Sequence, residues 1–382
     1  MVCDTIYYMK FKRIQNIFSS IEPKRVLVVY GPRRVGKTTI LKAYLAKQSG
    51  KEVFYQTGDD ARLRAIFKPE YRKEILDFAR SFDIIAIDEA QYVPSIGLGA
   101  KMMIDAFPEK NIILTGSSSL DLSNKIGEPL TGRHFTLTLL PLSQGEMEAS
   151  RFELKSALED FLIYGSYPEI LNEPDNQRKA KLLNELVSSY LFKDVLMLEA
   201  IKYPDLLNEI LKCLAFQVGN EVSMNEISGI VKSDVKTVGR YLDLLEKMFI
   251  IKKVRGFSRN LRNEIAKKPK YYFLDNGVRN AVLSQFNPLH LRNDIGSLWE
   301  NFIFMELTKK TGIEQTYDNY YFWRTHTGQE IDIIKETNGK LSAIECKWSN
   351  TPASVPKIFK QAYPDAAYSS IHRENYLDFL LN

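Results

Sequence analysis

Short apolar runs alternate with amphipathic stretches over the first 150 residues of the chain. The runs at 26–30, 84–87 and 111–114 are nearly continuous in valine, isoleucine and leucine, which is typical of strands buried on both faces. Between them lie stretches such as 59–81, in which apolar residues recur at helical spacing. Strands that alternate with helices predict a parallel sheet wrapped by helices, an α/β fold, over about residues 20–145.

The pattern changes three times after this first region. Residues 151–218 are rich in leucine, glutamate and lysine at helical spacing, and they predict a helical connector or lid. Residues 219–280 carry two short helical patterns and then two strand patterns. A helix–turn–helix followed by a hairpin predicts a winged helix. Residues 281–382 combine an amphipathic helix with strands, so we expect a second α/β domain there. The first domain, with the parallel sheet, is expected to span residues 1–150.

The stretch GPRRVGKTT directly follows the first apolar run. Its Gly31, Gly36, Lys37 and Thr38 fit the pattern G-x-x-x-x-G-K-[ST], in which backbone N–H groups surround the phosphates of a nucleotide. In such a loop the lysine reaches the outer phosphates and the threonine hydroxyl holds Mg²⁺. The sequence therefore predicts a site for ATP and Mg²⁺ made by Gly31, Pro32, Arg33, Arg34, Val35, Gly36, Lys37, Thr38 and Thr39.

Further polar residues follow the other predicted strands. Asp88 fits a carboxylate that holds Mg²⁺ through water, and Glu89 fits the base that polarises the attacking water, although an acidic pair also suits a simple turn. Thr115 or Ser117 suits contact with the γ-phosphate or the water, or merely a polar strand end. Arg133 suits charge neutralisation at the phosphates, in cis or from a neighbouring subunit of a homo-oligomer, or an ordinary surface position.

A second group of candidate residues lies near the C-terminus. Strand alternation puts Asp332 on one face of its strand, and Glu345 and Lys347 together on the next strand. Two carboxylates that hold Mg²⁺ and a lysine that orients water suit hydrolysis of a phosphodiester. A polar outer face of the sheet explains the same residues, and a preserved cluster also suits DNA binding without cleavage.

The order of these residues resembles the PD-(D/E)XK nuclease fold. That resemblance implies Glu300, on the preceding helix, as a further acidic metal ligand beside Asp332 and Glu345. The chain departs from the motif at Ile331, which stands where the motif name has proline.

The net charge of +5 is unevenly distributed along the chain. A basic stretch in the predicted hairpin has Glu264 as its single acidic residue, and it suits contacts with DNA phosphates. A solvated basic loop on a protein-binding module is the alternative. The cations are Lys252, Lys253, Arg255, Arg259, Arg262, Lys267, Lys268 and Lys270.

Several of these motifs together closely resemble a large group of AAA-like bacterial and archaeal ATPases. They are GPRRVGKTT, IDEAQ, LTGSSS and GRHFTLTLLPLSQGE, with the later markers YGSYPE, KYYFLDNGVRNAV and GSLWENFIFMEL. The resemblance covers most of the chain. It implies a P-loop ATPase, a helical connector, a winged helix and a C-terminal domain long labelled as of unknown function, with a restriction-nuclease-like fold.

These patterns predict an ATP-binding, Mg²⁺-dependent ATPase coupled to DNA, and they leave open whether the C-terminal domain cleaves DNA. A regulatory or signalling ATPase whose C-terminal modules bind protein or DNA without cutting is the alternative. The three cysteines are scattered, which favours a reducing compartment. Since no apolar stretch has the length of a signal peptide or a membrane helix, we expect a cytoplasmic protein.

Overall fold

A computed structural model describes residues 10–68, 72–116, 129–189, 204–258, 268–325, 327–351 and 354–381. These residues form two compact units. The N-terminal unit holds residues 13–140 together with the short segment 247–249, and the C-terminal unit holds the rest. Among the described helices, none combines the length and the apolar character that crossing a lipid bilayer requires.

The N-terminal unit contains a five-stranded sheet in which all neighbouring strands are parallel. The spatial order of the strands is 2-3-4-1-5. The strands are β1 (Val26–Tyr30), β2 (Val53–Thr57), β3 (Ile84–Asp88), β4 (Asn111–Gly116) and β5 (His134–Thr138). The helices are α1 (Lys37–Leu45), α2 (Ala61–Ile66), α3 (Arg72–Arg80) and α4 (Ile96–Ala106), with 3₁₀ turns at Phe18–Ser20 and Ala90–Tyr92.

Both faces of this sheet are buried, which explains why its strands read as continuous apolar runs. Consecutive residues of a strand point to opposite faces. Val28 belongs to the core shared with α2, α3 and α4, whereas its neighbour Val29 belongs to the core shared with Leu41 of α1. The predicted parallel sheet wrapped by helices is confirmed for this unit.

The C-terminal unit contains a six-stranded mixed sheet in the order 11-10-9-8-6-7. Its strands are β6 (Ile251–Gly256), β7 (Lys270–Phe273), β8 (Asn319–Arg324), β9 (Glu330–Thr337), β10 (Lys340–Cys346) and β11 (Ala367–Ile371). Its first helices are α5 (Arg151–Ser156), α6 (Leu158–Tyr164), α7 (Pro168–Leu171), α8 (Asn176–Ser189) and α9 (Pro204–Phe216). They are followed by α10 (Met224–Ile230), α11 (Val235–Lys247), α12 (Asn276–Val282), α13 (Ile295–Glu314), α14 (Lys357–Ala362) and α15 (Tyr376–Leu380), with 3₁₀ turns at Gln144–Glu146 and Leu289–Leu291.

The hairpin of β6 and β7 shares this sheet with the C-terminal strands. It follows the helix pair α10 and α11, as the sequence predicts. Arg255 and Gly256 pair in parallel with Tyr321 and Phe322 of β8. The predicted winged-helix region and the predicted C-terminal α/β domain therefore lie in one compact unit. Helix α13 packs on this sheet, where Phe304 stacks on Tyr272 with ring centroids 4.2 Å apart.

Candidate functional site

Two glycines shape the loop that joins β1 to α1. Gly31 has a φ of 149° and Gly36 a φ of 98°, both in the region that favours glycine. A Cβ atom on Gly31 would lie 2.0 Å from the carbonyl oxygen of Leu139. Because backbone cannot move aside as a flexible side chain can, no other residue fits at position 31. The chain bends there and enters α1 at Lys37.

The side chain of Lys37 is buried and turns back onto the loop. Its Nζ donates to the carbonyl oxygens of Gly31 at 2.9 Å and Pro32 at 2.8 Å. The ammonium group is therefore held at the loop that leads into α1, and the N-terminus of a helix favours an anion. Nucleotide phosphates would accept the same lysine hydrogen bonds that the two carbonyls accept here.

Asp88, the last residue of β3, accepts hydrogen bonds from three hydroxyl groups. Thr38 donates to its Oδ2 at 2.6 Å and Tyr55 to the same oxygen at 3.4 Å, while Thr115 donates to Oδ1. Tyr55 and Thr115 come from the strands on either side of β3. The carboxyl ends of these parallel strands thus meet beside the loop, as the sequence pattern requires.

Glu89 follows Asp88 in a left-handed backbone conformation, with a φ of 51°. Its N–H donates to Thr115 Oγ1 at 3.1 Å, and Gln91 Nε2 donates to its Oε2 at 2.5 Å. Thr115 therefore contacts both acidic residues. Sequence reasoning missed Gln91, whose one signal is its place in the marker IDEAQ.

The remaining predicted loop residues lie around this centre. Val35 is buried, and its carbonyl accepts a hydrogen bond from Arg13 at 2.6 Å. Arg33 donates to the Tyr92 hydroxyl at 3.2 Å. The side chains of Arg34 and Thr39 are exposed. Ser117 lies outside the described residues.

The donor set of this site suits a magnesium nucleotide. The hydroxyl of Thr38 and the carboxylate of Asp88 are oxygen ligands of the kind that Mg²⁺ prefers, and they are already within hydrogen-bond distance of each other. Lys37 supplies a positive charge for the phosphates. When bound, Mg²⁺ would neutralise charge on the outer phosphates. Thr38 and Asp88 are the residues that would hold the ion.

Arg133 does not lie near this site in the same chain. It precedes β5, whose first residue His134 pairs with Val26 at the start of β1. The loop instead follows Tyr30 at the other end of β1, about 15 Å away along the strands. The Arg133 guanidinium forms a salt bridge of 2.6 Å with Asp105. The geometry thus excludes a role in cis, whereas a role from a neighbouring subunit stays a prediction.

Four carboxylates meet in the C-terminal unit, and we call them the acidic cluster. The predicted hairpin of β9 and β10 is confirmed by its antiparallel pairing. Asp332 Oδ2 accepts the N–H of Cys346 at 2.7 Å. Glu345 accepts a hydrogen bond from Lys347 Nζ at 2.6 Å. The members of the acidic cluster are Glu300 of α13, Glu330 and Asp332 of β9, and Glu345 of β10.

A lysine that sequence reasoning did not connect with these carboxylates lies among them. Lys270 Nζ is 3.1 Å from Glu300 Oε1 and 2.5 Å from Glu330 Oε1. Tyr272 also donates to Glu300 Oε1, at 2.6 Å. Burial acts to lower the pKa of Lys270, but Glu300 and Glu330 outweigh it and raise that pKa above its ordinary value, so the ammonium stays charged.

The carboxylates of the acidic cluster outnumber the lysines beside them. Burial raises the pKa of Glu300 to about 7, with Asp332 adding to the rise and Lys270 opposing it. Burial also raises the pKa of Asp332 and of Glu345. In the part of the chain that the structure describes, no three acidic, histidine or cysteine side chains are arranged to hold a metal ion. The predicted ligands Glu300, Asp332 and Glu345 are therefore neighbours, and their role as metal ligands stays a prediction.

Part of the predicted basic stretch lies on β6. Lys252 and Arg255 are exposed and Lys253 is half-buried, and within the described residues none of the three forms an ion pair. They line a cavity of about 330 Å³ together with Tyr320 and Tyr321 of β8 and the carboxylates of Glu246 and Asp318. Outside the described residues lie Arg259, Arg262, Glu264 and Lys267 of the predicted stretch.

Comparison with protein families supports a P-loop ATPase. A family model described as an AAA domain matches residues 23–148, the region that holds the loop and Asp88. Two models described as domains of unknown function match residues 155–289 and 295–376. In its parallel sheet, its loop and this match, the N-terminal unit is similar to the P-loop ATPases.

Several relatives are similar to this chain in sequence over most of their length. An uncharacterized protein of Mycobacterium tuberculosis is 24% identical over 344 residues, which are 89% of this chain and 74% of that protein. An uncharacterized protein of Methanocaldococcus jannaschii is 26% identical over 87% of this chain and 78% of its own length. Among solved structures, AMPPCP-bound DnaA from Aquifex aeolicus matches 58% of this chain and 82% of its own, with 19% identity and a TM-score of 0.28.

Proposed function

We propose that this protein is an ATP-hydrolysing switch whose C-terminal unit binds DNA according to the state of the nucleotide. The observation that carries the proposal is the network that joins Thr38, Asp88 and Thr115 beside the buried Lys37. The network supports the proposal, because a hydroxyl and a carboxylate suited to Mg²⁺ and a lysine suited to phosphates lie around one loop, as hydrolysis of a nucleoside triphosphate requires.

Glu89 is the group in this site that is suited to polarise the attacking water. It follows the carboxylate that would hold Mg²⁺, and its backbone is tied to Thr115 on the next strand. Gln91 holds one of its carboxylate oxygens. Glu89→Gln removes the base but keeps the size and shape of the side chain. We expect this variant to bind ATP and to hydrolyse it at least about a hundredfold more slowly.

The support for DNA binding is the charge on β6. Lys252, Lys253 and Arg255 lie without ion-pair partners among the described residues, beside two tyrosines of β8. Lysine and arginine side chains that are not engaged by carboxylates favour phosphate groups. Each phosphate contact makes the affinity for DNA depend on the salt concentration. Lys236 and Arg240 of α11 are also exposed and add positive charge to the same region of the sequence.

Binding of labelled duplex DNA, measured by fluorescence anisotropy at several salt concentrations, tests this proposal. Neutralising Lys252, Lys253 and Arg255 with glutamine should weaken binding and lower the slope of log K against log salt by about 3, since each lost phosphate contact contributes about 0.9. A control with the same loss of charge replaces three other exposed lysines of the C-terminal unit, Lys340, Lys357 and Lys360.

The outcomes separate the two readings of the sequence. Our proposal is wrong if the unchanged protein does not bind DNA. It is also wrong if both triple variants bind DNA as the unchanged protein does. Either result would favour a protein-binding module. The switch itself is tested with Glu89→Gln, which holds ATP. If the two sites are coupled, the DNA affinity of this variant with ATP should differ at least about fivefold from its DNA affinity without nucleotide. DNA should change its affinity for ATP by the same factor, because coupling between two binding sites is reciprocal.

A further inference from the structure

A lysine ammonium group lies inside the acidic cluster where a metal-dependent nuclease would need its cation. Lys270 is 0% exposed, and its Nζ contacts Glu300 and Glu330 directly. A buried charge of this kind is stable only when it is paired and hydrogen-bonded. The contacts around Lys270 meet that condition.

The position of Lys270 is fixed by the sheet. Its backbone pairs with Val254 in the β6–β7 hairpin and forms a bridge to Glu221. Its Nζ lies 5.3 Å from the centre of the Phe322 ring, a distance that suits a cation–π contact. The ammonium is therefore held by strand register and packing, and it is not the mobile end of a surface side chain.

The carboxylate partners are equally constrained. Glu300 Oε1 accepts hydrogen bonds from both Lys270 and Tyr272. Its other carboxylate oxygen faces Gly219, where an added Cβ atom would lie 2.9 Å away. On the exposed side, the Glu330 carboxylate is 3.8 Å from the Arg324 guanidinium. Both Glu300 and Glu330 are thus occupied by protein cations.

The other two carboxylates are also engaged. Asp332 accepts the backbone N–H of Cys346, and Glu345 is paired with Lys347. A divalent ion entering the acidic cluster would have to displace Lys270 or to lie beside a buried charge of the same sign. Mg²⁺ also demands near-ideal octahedral geometry and keeps several waters, which a site filled by a lysine does not provide.

We propose that Lys270 is the resident cation of the acidic cluster, that it takes the place of a divalent metal, and that the C-terminal unit therefore does not cleave the DNA to which, under the proposed function, it binds. This inference does not depend on the ATPase. It accounts for a nuclease-like arrangement of Asp332, Glu345 and Lys347 around which, within the described ranges, no three side chains are arranged to hold a metal ion. It also predicts that removing one lysine creates a metal site.

Binding of Mn²⁺ to the nucleotide-free full chain, followed by the electron paramagnetic resonance of the free ion, tests the proposal. The unchanged protein and Asp332→Asn should bind Mn²⁺ equally. Lys270→Met should gain a Mn²⁺ site that binds the ion at least about tenfold more tightly than the unchanged protein does. The double variant, Lys270→Met with Asp332→Asn, should lose this site again. Lys335→Met is the control, because it removes a lysine of β9 that pairs with Asp318 outside the acidic cluster.

Each outcome decides for or against Lys270 as the resident cation. A Mn²⁺ site in the unchanged protein that Asp332→Asn abolishes would overturn the proposal, as would plasmid nicking with Mn²⁺ that depends on Asp332. A folded Lys270→Met that gains no Asp332-dependent site would overturn it too. If Lys270→Met does not fold, the comparison of the unchanged protein with Asp332→Asn still decides. Lys270→Arg, which keeps a cation, should gain no site.

Discussion

Replacing Glu300 by glutamine should remove a pH dependence from the stability of the C-terminal unit. Burial raises the pKa of Glu300 from an ordinary value of 4.5 to about 7, despite its contacts with Lys270 and Tyr272. The folded protein thus binds a proton at this carboxylate more tightly than the unfolded chain does. A carboxylate whose pKa is raised by folding stabilises the folded state at pH values below its pKa in the unfolded chain. That stabilisation is lost as the pH rises through its pKa in the folded protein.

The size of this effect follows from the two pKa values. At about 1.4 kcal/mol for each pH unit between 4.5 and about 7, the proton on Glu300 contributes about 2 to 3 kcal/mol at pH 5 that is absent at pH 8. Glutamine does not titrate. The free energy of unfolding of the unchanged protein, relative to Glu300→Gln, should therefore fall by about 2 to 3 kcal/mol between pH 5 and pH 8.

Tryptophan fluorescence reports on the unit that holds Glu300. The chain has three tryptophans, Trp299, Trp323 and Trp348, and all of them lie in the C-terminal unit. Urea unfolding followed by this signal gives the difference in unfolding free energy between the unchanged protein and Glu300→Gln at pH 5 and at pH 8. Glu314→Gln, which removes a half-exposed carboxylate from the same helix, is the control. If Glu300→Gln and the unchanged protein differ equally at pH 5 and pH 8, the account of the acidic cluster is wrong.

Two further predictions concern the N-terminal unit. Gly31→Ala should abolish ATP binding in calorimetry and lower the unfolding free energy by about 2 kcal/mol or more, because its Cβ would meet the Leu139 carbonyl. Arg133→Ala should leave the rate of ATP hydrolysis by the monomeric chain within about twofold, and should change stability by less than about 1 kcal/mol, since its salt bridge with Asp105 is exposed.

Controls for these predictions are available in the same unit. Gly50 also has a positive φ, of 76°, but an added Cβ atom there meets nothing within 4 Å. Gly50→Ala therefore measures the backbone strain alone, and normal ATP binding by Gly31→Ala would contradict the proposed shape of the loop. For Arg133, a large loss of hydrolysis in dilute protein would contradict the placement at the far edge of the sheet. A loss seen only at high protein concentration would indicate action across subunits.

The nucleotide loop was predictable because its chemistry is local in the sequence. A buried strand, two glycines, a lysine and a helix follow one another within 20 residues, and the steric demand at Gly31 leaves no alternative residue. The position of Asp88 was equally predictable from the sequence, since the carboxyl ends of parallel strands meet at one edge of the sheet. For Arg133, the same geometry argues only against the role in cis. The residue precedes its strand, and therefore lies at the opposite edge.

The acidic cluster shows what the sequence pattern left out. Alternation along β9 and β10 correctly put Asp332, Glu345 and Lys347 on a shared hairpin. Lys270 was noted only as one cation of a basic stretch. Its burial depends on how the β6–β7 hairpin joins the C-terminal strands and on where α13 places Glu300. Those are long-range contacts, and hydrophobic periodicity contains no information about them.

The central claim is that the loop at Lys37 binds a magnesium nucleotide, and isothermal titration calorimetry of Mg-ATP tests it most directly. The unchanged protein should bind Mg-ATP, and Lys37→Ala should weaken binding at least about a hundredfold, or about 2.7 kcal/mol. The exposed Lys51, replaced by alanine, is the control and should leave the affinity unchanged. An unchanged protein without affinity for Mg-ATP, or a Lys37→Ala variant that binds it equally well, would contradict the account.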